Sequence, residues 1–330
     1  MGIHIPFEWE TILTQSTQHT NTQHCCDLCG GSNFEIISEY DRHNKPLNTG
    51  LCQSCGLVMH VPMPSEDEIS AYYAKDYRRD YHGENKPSPR RIMRAWNNGQ
   101  RILKQIKPLI SQPCKVFEVG AGIGCTVKSF EEAGFDASGI EPNADFNRYT
   151  QGVLHAHVDN VNLYDLRADQ SCDVVLLIHV IEHFVSPKRA LTHMRGFIKN
   201  DGLLYVECPN VAAPFATFGR LFHFAHTYNF THNTLIHLAK IAGFDVVKSF
   251  TDEGNPDIQI LFKKTAVPEN IEKDEQEAKY CHDAIFRYNW LTYNLRADYL
   301  LRRIIKLKSY VKEYMQAGHF VKELEDRFKP

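Results

Sequence analysis

The sequence lacks an excess of charge of either sign. It holds 37 lysines and arginines against 40 aspartates and glutamates, which gives a formal net charge of -3. General nucleic-acid binding depends on basic side chains that neutralise phosphates, and this composition does not supply them in excess. We therefore expect no general binding to nucleic acids.

Long apolar runs are missing as well. No stretch reaches the roughly 20 apolar residues that a membrane-spanning helix needs. The opening residues, M-G-I-H-I-P-F-E-W-E, have no basic flank before an apolar core, and Pro6 argues against myristoylation of Gly2. We expect a cytoplasmic protein without a signal peptide, whose ten cysteines are thiols or metal ligands rather than disulfides.

One short segment, K-V-F-E-V-G-A-G-I-G-C-T at residues 115–126, has the pattern of a ligand-binding turn. Its apolar residues predict a buried strand, Gly120, Gly122 and Gly124 predict a tight turn, and residues 125–133 continue at helical spacing. Such a turn brings backbone N–H groups and a helix N-terminus against a ligand. The segment therefore predicts a nucleotide-like pocket.

Two acidic residues accompany this turn. Glu118 stands two residues before the first glycine. Glu141, followed by Pro142, ends the next apolar run about twenty residues later, where a carboxylate can bind both hydroxyls of a ribose. A dinucleotide fingerprint would read G-x-G-x-x-G, whereas here Cys125 stands in place of the last glycine.

A pair of cysteine knuckles precedes the turn. Cys26 with Cys29, and Cys52 with Cys55, form two C-x2-C motifs. Each knuckle can place two thiolates on one tetrahedral ion, and the segment between them alternates like a hairpin. Cys25 is a rival for Cys26, but the spacing favours Cys26. The pattern predicts a zinc ribbon with a closed, structural metal site.

From Lys115 onward, predicted strands and helices alternate, which indicates a mostly parallel sheet covered by helices on both faces. The seven strands are expected near residues 115–119, 136–140, 153–157, 173–178, 201–207, 244–250 and 257–263. The whole chain then divides into a lead-in at 1–24, the zinc ribbon at 25–62, linker or lid helices at 63–110, the α/β domain at 111–264, and a helical extension at 265–330.

The segments that flank the α/β domain are predicted to be helical. Ser65 and Glu68 form a capping-box pattern at the start of a short helix. Four tyrosines follow, and they either pack between domains or line an acceptor site: Tyr72, Tyr73, Tyr77 and Tyr81.

In the extension, one long helix is expected from Glu277 to Met315, ended by Gly318. Its basic face is expected to be solvated, with membrane-surface contact as the alternative: Arg302, Arg303, Lys306, Lys308 and Lys312.

The motifs E-V-G-A-G-I-G, I-E-P, C-D-V-V-L-L-I-H-V-I-E-H and D-G-L-L-Y-V-E-C-P-N together resemble the class I S-adenosylmethionine-dependent methyltransferases. The H-x-x-E-H segment is similar to a branch with many sugar and small-molecule modifiers, some of which carry an N-terminal zinc module. The resemblance implies a Rossmann-like fold and S-adenosylmethionine as cofactor. It implies these cofactor contacts: the three turn glycines against the cofactor, Glu118 on its amino group, Glu141 and Pro142 on its ribose, and His179 at its methionine end.

The resemblance also implies which histidines act on the acceptor. His226, which precedes Phe230-Thr231, is the first candidate for the general base and His183 the second, while His179 either acts with them or only caps a strand end. A hydroxyl acceptor must lose a proton, and an imidazole suits that task. Related sugar C-methyltransferases have a His-Glu-His cluster where this chain has Phe224-Ala225-His226, so O-methylation of a sugar, as a nucleotide sugar or within a surface glycan, is favoured.

Two other functions fit parts of the sequence. One is a non-catalytic zinc-ribbon adaptor, which the intact Glu118, Glu141 and glycines disfavour. The other is a nucleic-acid methyltransferase that docks through the ribbon, which the charge balance disfavours.

Overall fold

A computed structural model describes residues 25–75, 87–213, 216–268 and 274–329. The lead-in at 1–24, Tyr77 and Tyr81 lie outside the described residues. The strands are β1 (Phe34–Tyr40), β2 (Pro46–Cys52), β3 (Val58–His60), β4 (Lys115–Val119), β5 (Asp136–Ile140), β6 (Val158–Asp159), β7 (Cys172–Ile178), β8 (Ile198–Pro209), β9 (Tyr228–Asn229), β10 (Phe244–Ser249) and β11 (Asp257–Lys264). The α-helices are α1 (Glu66–Lys75), α2 (Pro89–Ile106), α3 (Cys125–Glu132), α4 (Ala144–Tyr149), α5 (Pro187–Arg195), α6 (His232–Ile241), α7 (Glu275–Ile285), α8 (Trp290–Asn294) and α9 (Ala297–Arg327).

The predicted seven-stranded, mostly parallel sheet is confirmed. Its order is β10-β11-β8-β7-β4-β5-β6, in which the pairs from β8 to β6 are parallel and β11 and β10 are antiparallel. Four consecutive residues of β7, from Val174 to Leu177, are buried, as expected for a parallel strand covered on both faces. The carboxyl ends of β4, β5, β7 and β8 therefore meet at one edge, where α/β sheets bind ligands.

The predicted third strand is wrong in position. It was expected at 153–157, but β6 is shorter and begins at Val158. Residues 150–154 instead extend α4 by a π-helical turn, which puts Leu154 fully inside the core. His155 then has a left-handed φ of 49°, which turns the chain into β6. The apolar residues at 153–157 predicted a strand, but Leu154 is buried from a helical turn instead.

The cysteine-rich segment is built into the rest of the molecule. Its sheet has the order β1-β2-β3-β9, so the last strand comes from the loop that follows β8. The register pairs Met59 of β3 with Tyr228 of β9. In addition, the Asp27 carboxylate accepts hydrogen bonds of 2.8 Å from the Ser186 hydroxyl and from the Lys188 backbone N–H. The knuckle side of this sheet is thereby fixed against the start of α5.

The helices before β4 follow the sequence prediction. The Ser65 hydroxyl accepts from the Glu68 backbone N–H at 3.2 Å and the Glu68 carboxylate accepts from the Ser65 N–H at 2.8 Å, which is the expected capping box. The apolar face of α2 is buried, including Trp96 and Ile102.

The single long helix predicted for the extension is wrong. The segment forms α7, α8 and α9, because Asn289 starts a new helix by accepting a hydrogen bond from the Thr292 backbone N–H. Gly318 does not end α9, which runs on to Arg327. Ala317, Val321 and Leu324 are buried on the core side of this stretch and hold it as a helix.

The first half of α9 lies beside α2. The carboxylate of Glu313 pairs with Arg94 at 2.5 Å, and Tyr310 lies under the same guanidinium at 5.1 Å. No helix in the described ranges combines the length and the apolar character needed to cross a membrane.

Candidate active site

The glycine turn lies between β4 and α3. At Gly124, φ is +75° and an added Cβ would stand 2.3 Å from the Thr150 methyl carbon, so only glycine fits. At Gly122, φ is +56° and an added Cβ would meet no atom within 4 Å. The turn is therefore closed on the side of Thr150 and open on the side of Gly122. Gly120, between them and β4, also has a positive φ.

Glu141 ties this turn to the end of β5. One of its carboxylate oxygens accepts from the Gly122 N–H at 2.9 Å and the other from the Asn143 N–H at 2.8 Å. Burial raises the pKa of Glu141, and these two backbone bonds oppose that rise. Each oxygen retains a lone pair for a further donor. Pro142, next in the chain, is exposed.

Glu118 is buried in β4 directly before the turn. Its side chain is 3% exposed, and its Oε2 accepts no hydrogen bond from the described residues. Burial raises the pKa of Glu118 to about 8. A buried polar atom without a partner calls for an explanation, and a missing ligand is one of them.

His179 stands at the carboxyl end of β7 with a left-handed φ of 52°. Its Nδ1 lies 3.6 Å from Glu182 Oε1 and its Nε2 lies 3.5 Å from Glu207 Oε1. Partial desolvation disfavours the charged imidazole of this exposed residue, but the two carboxylates outweigh it and raise the pKa of His179 to about 10. His179 is therefore protonated at neutral pH and cannot accept a proton there.

Glu207, at the end of β8, is held by Arg101 of α2. The Arg101 guanidinium donates to both carboxylate oxygens, at 2.9 and 2.6 Å, and the Tyr205 hydroxyl donates to Oε2 at 2.8 Å. Burial alone would raise the pKa of Glu207, yet its interactions with His179 and Arg101 lower it. The carboxylate is thus ionised beside the imidazolium of His179.

A cavity of about 690 Å³ opens at this point. Its wall combines His179 and Glu207 at the strand ends, Asp257 at the start of β11, and polar residues of α2. The α2 contribution is Arg90, Arg91, Arg94 and Asn98. Most groups that face this space can donate or accept hydrogen bonds, so the cavity suits a polar ligand.

Two loops bring a second group of side chains together beside His179. Glu182 and His183 belong to a short 3-10 turn after β7, and His226 belongs to the loop before β9. Glu182 Oε1 lies 3.8 Å from His183 Nε2 and 4.0 Å from His226 Nε2. The Thr227 hydroxyl contacts the Glu182 carbonyl oxygen at 3.0 Å and the Phe184 carbonyl oxygen at 2.8 Å, which joins the two loops.

The imidazole of His226 is neutral at pH 7. Its ring centroid is 3.9 Å from that of His223 and 4.9 Å from that of His183. Burial, reinforced by these neighbouring histidines, lowers the pKa of His226 well below its usual value and lowers that of His223 to about 2. His183 Nδ1 lies 2.7 Å from the Ala225 carbonyl oxygen, which fixes the ring.

The four predicted metal ligands form a compact cluster. Cys26 Sγ is 3.5 Å from Cys55 Sγ, and Cys29 Sγ is 3.6 Å from Cys52 Sγ. All four ligand atoms lie within 4.8 Å of one another. A tetrahedral zinc site with Zn–S bonds of 2.3 Å has sulfurs about 3.8 Å apart, so the cluster has the right size. Cys25 is exposed and does not join this group.

Sequence reasoning missed Asp257 and the arginines at the start of α2 as wall residues, and it missed Arg101 as the partner of Glu207. Arg101 and Glu207 are 106 positions apart in the chain, and no local motif links them. The only signal was the run of arginines at the start of α2.

Comparisons with known proteins found one matching family model and several similar solved structures. A family model described as "Methyltransferase domain" matches residues 85–249. Among solved structures, the 1,6-didemethyltoxoflavin-N1-methyltransferase of Burkholderia thailandensis, with its substrate and S-adenosylhomocysteine bound, shares 17% identity over 71% of this chain and 100% of that one, with a TM-score of 0.48. A possible histamine N-methyltransferase of Thermotoga maritima shares 20% identity over 60% of this chain and 99% of that one, with a TM-score of 0.43. No curated protein matches the chain in sequence.

The decisive comparison is the family model. Its match begins just before α2 and ends in β10, so it contains the glycine turn, Glu141 and the histidine cluster. It leaves out the cysteine cluster and the helical extension. Since the matched residues make up half of the chain, the protein belongs to this methyltransferase family and is a class I S-adenosylmethionine-dependent methyltransferase.

Proposed function

We propose that the protein methylates a hydroxyl group of a sugar, carried by a nucleotide or within a surface glycan. Bound S-adenosylmethionine supplies a methyl group on a sulfonium that is already activated. The protein must then hold donor and acceptor in line and accept the proton of the hydroxyl. The observation that carries the proposal is the neutral, half-buried imidazole of His226 next to Glu182 at the carboxyl edge of the sheet.

His226 is the proposed general base and His183 the alternative. His226 Nε2 would accept the proton that the acceptor hydroxyl loses as it takes the methyl group, and the cofactor would leave as the neutral thioether. The low pKa of His226 makes it a weak base on its own. The Glu182 carboxylate 4.0 Å away would stabilise the imidazolium that forms. His179, already protonated, would supply positive charge rather than accept a proton.

The residues around the turn fit the cofactor. The unpartnered Oε2 of Glu118 can accept from the amino group of the cofactor, directly or through water. Gly122 has open space where a side chain would stand. Glu141, at the end of β5 next to Pro142, can accept from the ribose hydroxyls with its remaining lone pairs.

The polar cavity supports a hydrophilic acceptor. Its arginines, with Asn98 and Asp257, can bind hydroxyls and the negative charge of a nucleotide diphosphate. This agrees with the sugar class that the sequence resemblance favours. We propose that the protein works in the cytoplasm, where the cysteines of the cluster stay reduced.

We also propose one structural zinc at Cys26, Cys29, Cys52 and Cys55. Four thiolates complete a tetrahedral ion and leave no position for a substrate. Zinc analysis of purified protein should therefore give one equivalent that the Cys52→Ser variant loses.

The experiment that tests the function is label transfer from methyl-labelled S-adenosylmethionine into a host extract separated into nucleotide-sugar, glycan, protein and nucleic-acid fractions. We expect label in a sugar fraction with the wild type and with His157→Gln, which changes an exposed histidine outside the site. The His226→Gln variant should bind cofactor normally but lose transfer at least 100-fold, and Glu141→Ala should weaken cofactor binding with the fold intact.

Each part of the proposal can fail separately. Label found only in the protein or nucleic-acid fraction would reject a sugar as the acceptor and favour the ribbon as a module that docks onto a macromolecule. Full activity of His226→Gln would remove it as the base, and an unchanged Kd in Glu141→Ala would remove that residue from the cofactor site.

A further inference from the structure

Glu182, which lies beside His183 and His226, has carboxylate oxygens without a hydrogen-bond donor among the described residues. Glu182 is 1% exposed, and neither of its carboxylate oxygens accepts a hydrogen bond from the described residues. A buried carboxylate without donors is costly unless a cation compensates it. This carboxylate lies between the two imidazoles whose Nε2 atoms are 3.8 and 4.0 Å from its Oε1.

The orientation of His183 sharpens this point. Its Nδ1 lies 2.7 Å from the Ala225 carbonyl oxygen, which can only accept, so Nδ1 carries a hydrogen. Nε2 is therefore the ring nitrogen that could bind a metal ion, and it lies 3.8 Å from Glu182 Oε1.

From this geometry we propose that Glu182, His183 and His226 form a second metal site, distinct from the cysteine cluster, for a divalent transition ion of the zinc type. The ligand atoms of the three residues all lie within 4.8 Å of one another. Two imidazoles with one carboxylate form a donor set used for zinc with an open coordination position. Imidazole donors favour such an ion over magnesium or calcium, which prefer oxygen.

The spacing requires only a small contraction. Metal–nitrogen and metal–oxygen bonds of about 2.1 Å put tetrahedral donors about 3.4 Å apart, roughly 0.5 Å closer than the two Glu182 contacts here. Rotation of the Glu182 carboxylate and the His226 ring can provide this contraction. The backbone of the two loops does not have to move, because Thr227 already joins them.

The competing cation is the imidazolium of His179, whose Nδ1 is 3.6 Å from the same Glu182 oxygen. It reaches one edge of the carboxylate, while its Nε2 is directed to Glu207. It therefore compensates the charge of Glu182 only in part and leaves the space between Glu182, His183 and His226 to another cation.

Such an ion would keep the proposed methyl donor and acceptor but change how the hydroxyl loses its proton, and the inference rests on the proposed function for the nature of the acceptor alone. An ion held by these residues would lower the pKa of an acceptor hydroxyl at its open position, so that the proton could leave to water before methyl transfer. His226 would then act as a ligand in place of its proposed role as general base.

The test measures binding without turnover. The full-length protein is dialysed against buffered free Zn²⁺, and bound zinc is counted by mass spectrometry in the wild type, Glu182→Gln, His226→Gln and the control His157→Gln. We expect the wild type and the control to hold one equivalent more than either cluster variant. Equal zinc in all four proteins would overturn the proposal, whatever the content of the cysteine cluster.

A spectroscopic measurement on the wild type covers the case in which a cluster variant fails to fold. Cobalt(II) bound to thiolates gives intense charge-transfer absorption in the near ultraviolet, whereas cobalt bound to imidazole and carboxylate gives only weak visible bands. We expect a second equivalent of cobalt with the weak bands alone, and saturation at one equivalent would refute the site. Label transfer into sugar that survives removal of this ion would keep the proposed function and reject its dependence on the metal.

Discussion

Replacing Glu118 by glutamine should stabilise the cofactor-free protein at alkaline pH. Burial raises the pKa of Glu118 from 4.5 to about 8, so the folded protein resists ionisation of this carboxyl whereas the unfolded chain does not. The unfolded state therefore loses its proton first, and the free energy of unfolding falls as pH rises from 4.5 to about 8. This difference between the two pKa values corresponds to a loss of at most about 5 kcal/mol in the free energy of unfolding. Because the folded protein can relax locally, we expect a loss of roughly 2–5 kcal/mol.

The assay is urea unfolding of the wild type and Glu118→Gln at several pH values between 4 and 9. The two proteins should be similar near pH 4.5, and the variant should become the more stable one above it until the difference levels off near pH 8. Glu39→Gln, at an exposed carboxylate, serves as the control and should show no such trend. A difference that stays constant with pH, or a wild type that is more stable at pH 9, would mean that Glu118 is ionised and well solvated in the fold.

Three further perturbations test other parts of the structure. Cys52→Ser should lower the zinc content by one equivalent, and thermal unfolding should show a large loss of stability, because binding of a structural zinc is coupled to folding. Arg101→Met should cost about 2–4 kcal/mol in urea unfolding, since it leaves the Glu207 carboxylate buried without its partner, and Arg101→Lys should recover part of this; equal stability of all three proteins would contradict the pairing. Gly124→Ala should cost about 1–2 kcal/mol for its left-handed φ, plus the overlap with the Thr150 methyl. Adding Thr150→Ser, which lacks that methyl, should recover only the overlap, and a full recovery would contradict the backbone argument.

The sequence predicted best the features whose cause is local. The glycine turn follows from backbone conformations that glycine adopts without cost, and Glu141 follows from its distance along one βαβ unit. The cysteine knuckles are local too, and their spacing was enough to select Cys26 over Cys25. Each of these patterns lies within thirty consecutive residues, so no knowledge of the folded chain was needed.

The features that failed depend on contacts between distant segments. β6 begins later than predicted, because Leu154 packs into the core from a helical turn. Gly318 did not end α9, because the buried residues around it hold the helix. The partnership of Arg101 with Glu207 joins α2 to the end of β8, and only the folded chain brings them together.

The ribbon of strands β1, β2 and β3, which carries the cysteine cluster, and the proposed acceptor site are coupled through one loop. β9 gives the ribbon its fourth strand, and it begins two residues after His226. On the other side of that histidine, the His60 ring of β3 lies 3.2 Å from the Phe224 carbonyl oxygen. The ribbon thus fixes the loop on both sides of His226, and the turn after β7 fixes it through Thr227. A long loop would lose considerable conformational entropy to hold one imidazole in place, and the ribbon supplies contacts that compensate for this. We therefore infer that the ribbon contributes to the proposed site by ordering the segment that carries His226.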